Sequence, residues 1–229
     1  MHGELDMDPE TAVKQRQPSP NQRRPPSHRQ GRRRRVLDSL TQPGVRLAIW
    51  QRELPEGLSL ALLDWAWRYP AGVEDAVSVP PRNVESCLAA FHAEPWRQWL
   101  WEDLKSLTED FSRLAAVKSC RVTFGPIRTD QCRKFHVDKL RMRLITTYAG
   151  PGTEWLPEGA VRRAALENPA PCFEQANREI VKHAGLVRHA QAGDVLIMKG
   201  AMGGAPGLVH RSPPIEHRGL LRVVLVLST

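Results

Sequence analysis

The stretch from Cys132 to Glu158, CRKFHVDKLRMRLITTYAGPGTEWLPE, constrains the fold more than any other part of this chain. From His136 to Tyr148 it alternates with the period of a strand, whose successive side chains leave opposite faces. If the strand is continuous, His136, Asp138, Leu140, Met142, Leu144, Thr146 and Tyr148 share one face. Lys139, Arg141 and Arg143 point the other way. The His-x-Asp pair then lies on the apolar face, where an unpaired carboxylate is costly. A metal ion or a dense hydrogen-bond network must compensate it.

The surrounding chain changes character along its length. LSLALLDWAWRY (58–69) has helical spacing, and residues 82–117 read as two helices broken near Pro95. Five of the seven Trp fall between residues 65 and 101, which suits helix packing better than a stacking platform for bases. VRLAIWQREL suggests a short strand, and CRVTFGPI, GDVLIMKG and LLRVVLVLS suggest three more. Between them, residues 161–184 read as a partly helical insertion. Helices first and strands later predict an α+β fold, in which an antiparallel barrel-like core is wrapped by helices. Residues 41–229 form one domain in this reading, with a mainly helical lead-in over 41–117 and the β core over 118–229.

Residues 1–40, rich in Pro, Gln, Ser and Arg, are expected to be a disordered tail that the domain can lose without unfolding. The net charge of +8 belongs to this tail: Lys14 to Arg35 holds one Lys and eight Arg with no acid, leaving the rest near −1. A near-neutral domain does not suit a phosphate-binding groove. Contact of the Arg32–Arg35 run with nucleic acid stays open, with a solvated basic tail favoured. The acidic start, MHGELDMDPE, lacks the apolar core of a leader, and no apolar run is long enough to span a bilayer. Cys87, Cys120, Cys132 and Cys172 lack a CxxC pairing, which suggests reduced thiols and a cytoplasmic protein.

A third ligand is available. His210, in PGLVHRSPP, follows a glycine-rich loop 72 residues after Asp138. Two His and one carboxylate form a facial triad that suits non-heme Fe(II) and leaves coordination positions open. Arg222 follows His210 by 12 residues, inside the apolar last strand. A buried guanidinium demands an anion and can grip a carboxylate bidentately.

Taken together, His136-x-Asp138, Gly193-Asp194 opening an apolar strand, His210 and Arg222 resemble the 2-oxoglutarate/Fe(II)-dependent oxygenase superfamily over about residues 118–229. The resemblance implies a double-stranded β-helix, a jelly-roll or cupin-like core. It implies His136, Asp138 and His210 as catalytic metal ligands and Arg222 as the clamp for the distal carboxylate of 2-oxoglutarate. Arg218 competes for that role, and Val224 stands where many members carry Ser. More closely, CRKFHVD, TYAGPGTEWLPE and HRSPP resemble an uncharacterised bacterial family of unknown function, from residue 47 to the end. That resemblance implies an encoding near zinc-handling GTPases and so a link to metal supply.

Tyr148 and Thr146, on the ligand face, are candidates to bind the co-substrate; a core role for Tyr148 fits as well. Glu154 and Trp155 either line the mouth of the site or anchor the turn. Cys132 reads as a buried or partly buried thiol, Lys199 as solvated with anion binding the alternative, while His183, His189 and His217 are expected on the surface. The implied cofactors are Fe(II) and 2-oxoglutarate, with Zn(II) a competing ion. The principal expectation is an Fe(II) oxygenase acting on an unidentified substrate. Its rival is a cupin-like metal-binding protein of zinc homeostasis that performs no turnover.

Overall fold

The computed structural model describes residues 27–68, 77–79, 94–202 and 206–229. A large sheet dominates. Its strands are β1 (His28–Gly31), β2 (Leu47–Trp50), β3 (Val77–Val79), β4 (Cys120–Ile127), β5 (Met142–Ala149), β8 (Val195–Lys199) and β10 (Arg222–Ser228), ordered β1-β2-β8-β5-β10-β4-β3. All neighbours are antiparallel except β1 and β2. A small sheet joins β7 (Arg188–His189), β6 (Glu154–Leu156) and β9 (Val209–Arg211). The expected strands at 47–50, 120–127, 195–199 and 222–228 are all present.

Each face of the large sheet has its own core. Helix α1 (Leu58–Arg68) buries Leu58, Leu62, Trp65 and Ala66. Helix α2 (Arg97–Ala115) buries Leu100, Leu104, Leu107, Phe111 and Ala115, one apolar stripe at helical spacing. Both pack on Val122, Phe124, Leu144, Tyr148, Val223 and Leu225. On the opposite face, Trp155 of β6 packs with Ile145, Leu196, Met198 and Val224, so the small sheet covers the β8–β5 region. This second core is where the candidate site lies. Helix α3 (Phe173–Ile180) belongs to a third cluster with Phe135, Leu156 and Val209. The tryptophan expectation holds for Trp65 and Trp96, which meet edge to face, but Trp67 is exposed beneath Arg128. The helix expected before Pro95 and the chain up to residue 26 lie outside the described residues.

The expected tail is corrected from residue 28 onward. β1 pairs in parallel with β2, and a 3-10 helix over Arg34–Thr41 buries Leu37 and Leu40 in the main core. Arg34 meets Asp110 of α2 at 2.6 Å, while Arg32, Arg33 and Arg35 stay exposed. Composition hid this because two leucines anchor a segment whose remaining surface is basic. Removing a buried Leu side chain typically costs about 2–5 kcal/mol, so a deletion through residue 40 is not neutral.

Candidate metal centre

His136 and His210 are brought side by side by an isolated antiparallel bridge. Each backbone N–H donates to the other residue's carbonyl at 3.0 Å, and the ring centroids lie 4.7 Å apart. The Nδ1 of His136 lies 2.9 Å from the Lys134 carbonyl, and that of His210 lies 3.3 Å from the Leu208 carbonyl. A carbonyl only accepts, so both Nδ1 atoms carry a proton, and in the neutral ring this leaves the lone pair on Nε2. Those Nε2 atoms face the two carboxylate oxygens of Asp138: His136 is 3.6 Å from Oδ1 and His210 is 3.5 Å from Oδ2. One ligand atom from each residue falls within 4.8 Å of the others.

The electrostatics suit a cation. Burial pulls His210 down to about 4 against the pull of Asp138, so its imidazole is neutral near pH 7. Burial pushes the Asp138 carboxyl up, but contact with His136 and the permanent charge of Arg143 outweigh it and hold Asp138 below its ordinary value. Oδ2 of Asp138 is buried and accepts no hydrogen bond. Two imidazoles and a carboxylate with an orphaned oxygen are a donor set that suits a divalent transition metal.

Asp138 does not continue a strand into β5. From Asp138 to Arg141 the backbone wraps around Gly200: Ala201 N–H donates to Asp138 O, Gly200 N–H to Arg141 O and Met202 N–H to Leu140 O. A Cβ at Gly200 would stand 2.1 Å from Leu140 O and 2.7 Å from Asp138 O, so only glycine permits this approach. The loop reverses the parity expected from the sequence. Arg143, Ile145 and Thr147 of β5 face the site, while Leu144, Thr146 and Tyr148 face the helices.

Two candidate co-substrate residues are therefore corrected. Tyr148 is in the main core and donates its hydroxyl to Asp103 at 2.6 Å. Thr146 pairs with Val195 and Leu225, both on that same helical side. Arg218 is corrected too: it is exposed in a 3-10 turn over Glu216–Arg218. Arg143, assigned to the opposite face by simple alternation, stands in the site with its Nη1 at 2.9 Å from Asp138 Oδ1.

Arg222 is almost fully buried and shares one cavity with His136, Arg143, His210 and Thr153. Its Nη2 donates to Thr147 Oγ1 at 3.0 Å and Thr153 Oγ1 at 3.2 Å, and its Nε finds no partner. Among the described residues no carboxylate forms an ion pair with it. Burial lowers it to about 10, opposed by the charge of Glu154, so it remains cationic at neutral pH. Glu154 itself is taken by Arg211 at 2.6 Å, and Trp155 is buried against His28. Both anchor the small sheet. Cys120 is buried, whereas Cys132 and Cys172 are exposed, and none of the three is in a disulfide. Lys199 is half-buried outside the cavity, and His183, His189 and His217 are exposed.

Sequence reasoning missed Thr147, Thr153 and the role of Arg143. The threonines carry no charge and sit in strand and turn contexts where Thr is ordinary, so only proximity to Arg222 distinguishes them.

Fold and site together define an α+β protein with a large, mainly antiparallel sheet and a two-histidine, one-carboxylate cluster in which Asp138 and His210 are buried and His136 is partly exposed. The chain belongs to the protein family of unknown function DUF1826, whose profile matches residues 31–228. That match begins 16 residues earlier than the sequence resemblance at 47, in keeping with the ordered segment from residue 28. No curated protein matches the chain. Among solved structures it is similar to a Pseudomonas putida prolyl-4-hydroxylase, with 14% identity, a TM-score of 0.43, and coverage of 84% of this chain and 90% of that one. No described helix is long and apolar enough to cross a membrane.

Proposed function

We propose that this protein is a cytoplasmic non-heme Fe(II), 2-oxoglutarate-dependent oxygenase, its two facing sheets forming a double-stranded β-helix. One observation carries the reading: a buried, cationic Arg222 without a carboxylate partner among the described residues shares a cavity with a His/Asp/His cluster. A protein that only stores metal has no reason to bury an unpaired guanidinium beside it, at a cost of several kcal/mol. A co-substrate with a metal-binding end and a free carboxylate uses both features.

In this reading His136 and His210 offer Nε2, Asp138 offers a carboxylate oxygen, and the metal when bound supplies the redox chemistry that side chains lack. Thr147 and Thr153 hold one arm of Arg222, which leaves its Nε and remaining Nη hydrogens for the distal carboxylate of 2-oxoglutarate. Ile145 and Val224 keep this end of the cavity apolar, which strengthens that charge pair. A cleft of about 400 Å³ along β4 and β10, lined by Thr123, Ile127, Arg143, Val226 and Ser228, adjoins this cavity, sharing Ile127, Arg143 and Val226 with it, and is the candidate approach for the substrate.

Zn(II) outcompetes Fe(II) at such N/O sites, so the protein is expected to carry zinc when purified and must be reconstituted. Anaerobic addition of Fe(II) and then 2-oxoglutarate should produce a visible metal-to-ligand charge-transfer band, absent in His136→Ala and His210→Ala. Oxygen should then release succinate. Stoichiometric metal binding with neither band nor succinate would replace this reading with a metal-binding protein of zinc homeostasis.

A further inference from the structure

The two oxygens of Asp138 have different neighbours. Oδ1 is held by Arg143 Nη1 at 2.9 Å, whereas Oδ2 is buried without a hydrogen bond. Arg143 is itself anchored. Its backbone pairs with Met198 of β8 and Ser228 of β10, and its Nε donates to Ser228 Oγ at 3.3 Å. It lines both the cavity and the adjoining cleft. Asp138 also has a backbone fixed by Ala201 N–H, so neither partner is free to swing away.

We propose that Arg143 is a positioning residue that divides the Asp138 carboxylate, occupying Oδ1 so that only Oδ2 is offered to a metal. A free carboxylate beside a divalent ion can bind through both oxygens. Doing so here would consume one of the positions the co-substrate needs. A guanidinium on Oδ1 competes for that oxygen, and its like charge repels the ion. It therefore lowers metal affinity while keeping coordination sites open. The inference rests on the metal-binding part of the proposed function and concerns how the ligand is presented.

Co(II) is the probe, because its visible spectrum reports coordination number without turnover. Wild type, Arg143→Met and Arg143→Lys are compared for the metal-free melt, Co(II) affinity, Co(II) spectrum and 2-oxoglutarate affinity of the Co(II) form. Arg143→Met should bind Co(II) at least as tightly as wild type, with a spectrum shifted to a higher coordination number. Its 2-oxoglutarate affinity should fall roughly tenfold or more, the scale of a lost charge-assisted hydrogen bond. Arg143→Lys, which keeps the charge, should restore part of both properties. A purely structural role would lower the metal-free melt and leave the Co(II) spectrum alone. A spectrum and co-substrate affinity equal to wild type in folded Arg143→Met would overturn the proposal. So would loss of Co(II) from that folded variant, since a dividing role predicts retention. If Arg143→Met does not fold, Arg143→Lys and Ser228→Ala carry the same comparison, with smaller shifts in the same direction. Failure of wild type to bind Co(II) at all is a different result, which removes the metal centre itself.

Discussion

Two arginines, the largely buried Arg52 and the buried Arg222, lie on opposite sides of the large sheet and differ in every partner. Arg52, just after β2, forms a two-pronged ion pair with Asp103 of α2, with Nη2 at 2.8 Å from Oδ2, and its Nε donates to the Gly193 carbonyl at 2.9 Å. Tyr148 completes the group through its bond to the same Asp103 oxygen. Burial would lower Arg52, but the hydrogen bond and charge of Asp103 outweigh it and hold it above its ordinary value. Arg222 has two threonine hydroxyls, an idle Nε and a lowered value. The first network is closed in charge: a carboxylate already pairs the guanidinium, and all three of its nitrogens donate. The second is open, and its missing partner is an anion. Burial alone does not distinguish a structural charge from a functional one; the state of its hydrogen-bond inventory does.

The largest effect should come from opening the closed side. Asp103→Ala leaves Arg52 charged, largely buried and unpaired, and removes the acceptor of Tyr148. Breaking a buried pair in this way costs about 3–5 kcal/mol, readable in a thermal or urea melt. Metal binding at the opposite face should persist at temperatures where the variant is folded. A melt unchanged from wild type would mean that the Arg52 network contributes nothing to stability.

On the open side the effect should move from stability to binding. Arg222→Leu should melt at or above the wild-type temperature, because no carboxylate is orphaned and Leu suits an apolar strand. It should keep the metal and lose 2-oxoglutarate affinity by about 2–5 kcal/mol, roughly 30-fold to several-thousand-fold. Calorimetric titration of the Fe(II)-loaded proteins under anaerobic conditions measures this. Equal affinity in the two proteins would reject the clamp and make Arg222 a structural cation like Arg52.

A smaller contrast should appear with pH. His210 has a folded value of about 4, below its ordinary 6.5, so the unfolded chain binds the proton more readily. Its contribution to stability is fully present above pH 6.5 and is lost as pH falls through 4. A shift of this size is worth roughly 3 kcal/mol. Asp138, also lowered, acts in the same sense at the acidic end. Neither Arg52 nor Tyr148, both raised, titrates in this window. Metal-free protein should thus lose stability between about pH 6.5 and 4, and His210→Asn should flatten that dependence. An unchanged slope in the variant would place the pH response elsewhere.

Much of the site could be read from residue types alone. Two imidazoles and a carboxylate in an apolar context, and a guanidinium in LLRVVLVLS, are each expensive to bury, so each signals a partner whatever the fold. The strands at 47–50, 120–127, 195–199 and 222–228 and the helix at 97–115 were legible because their apolar periodicity is the direct record of the face they bury. These properties are local, and a local pattern is what one chain can state about itself.

Tertiary structure decided which groups meet. Gly200 approaches the 138–141 backbone from a segment about sixty residues away, and the resulting loop turns Arg143 toward Asp138 and Tyr148 toward Asp103. Strand alternation predicts the opposite for both, since parity carries through a strand only while the strand is unbroken. The ordering of residues 28–41 was decided in the same way, by the edge of β2 and the helical core that Leu37 and Leu40 enter. Composition averages over a segment, whereas two buried side chains and one strand pairing are enough to hold it. The open state of Arg222 is likewise a tertiary fact: Thr147 and Thr153 reach it while Glu154 is held by Arg211, and no sequence spacing records that choice.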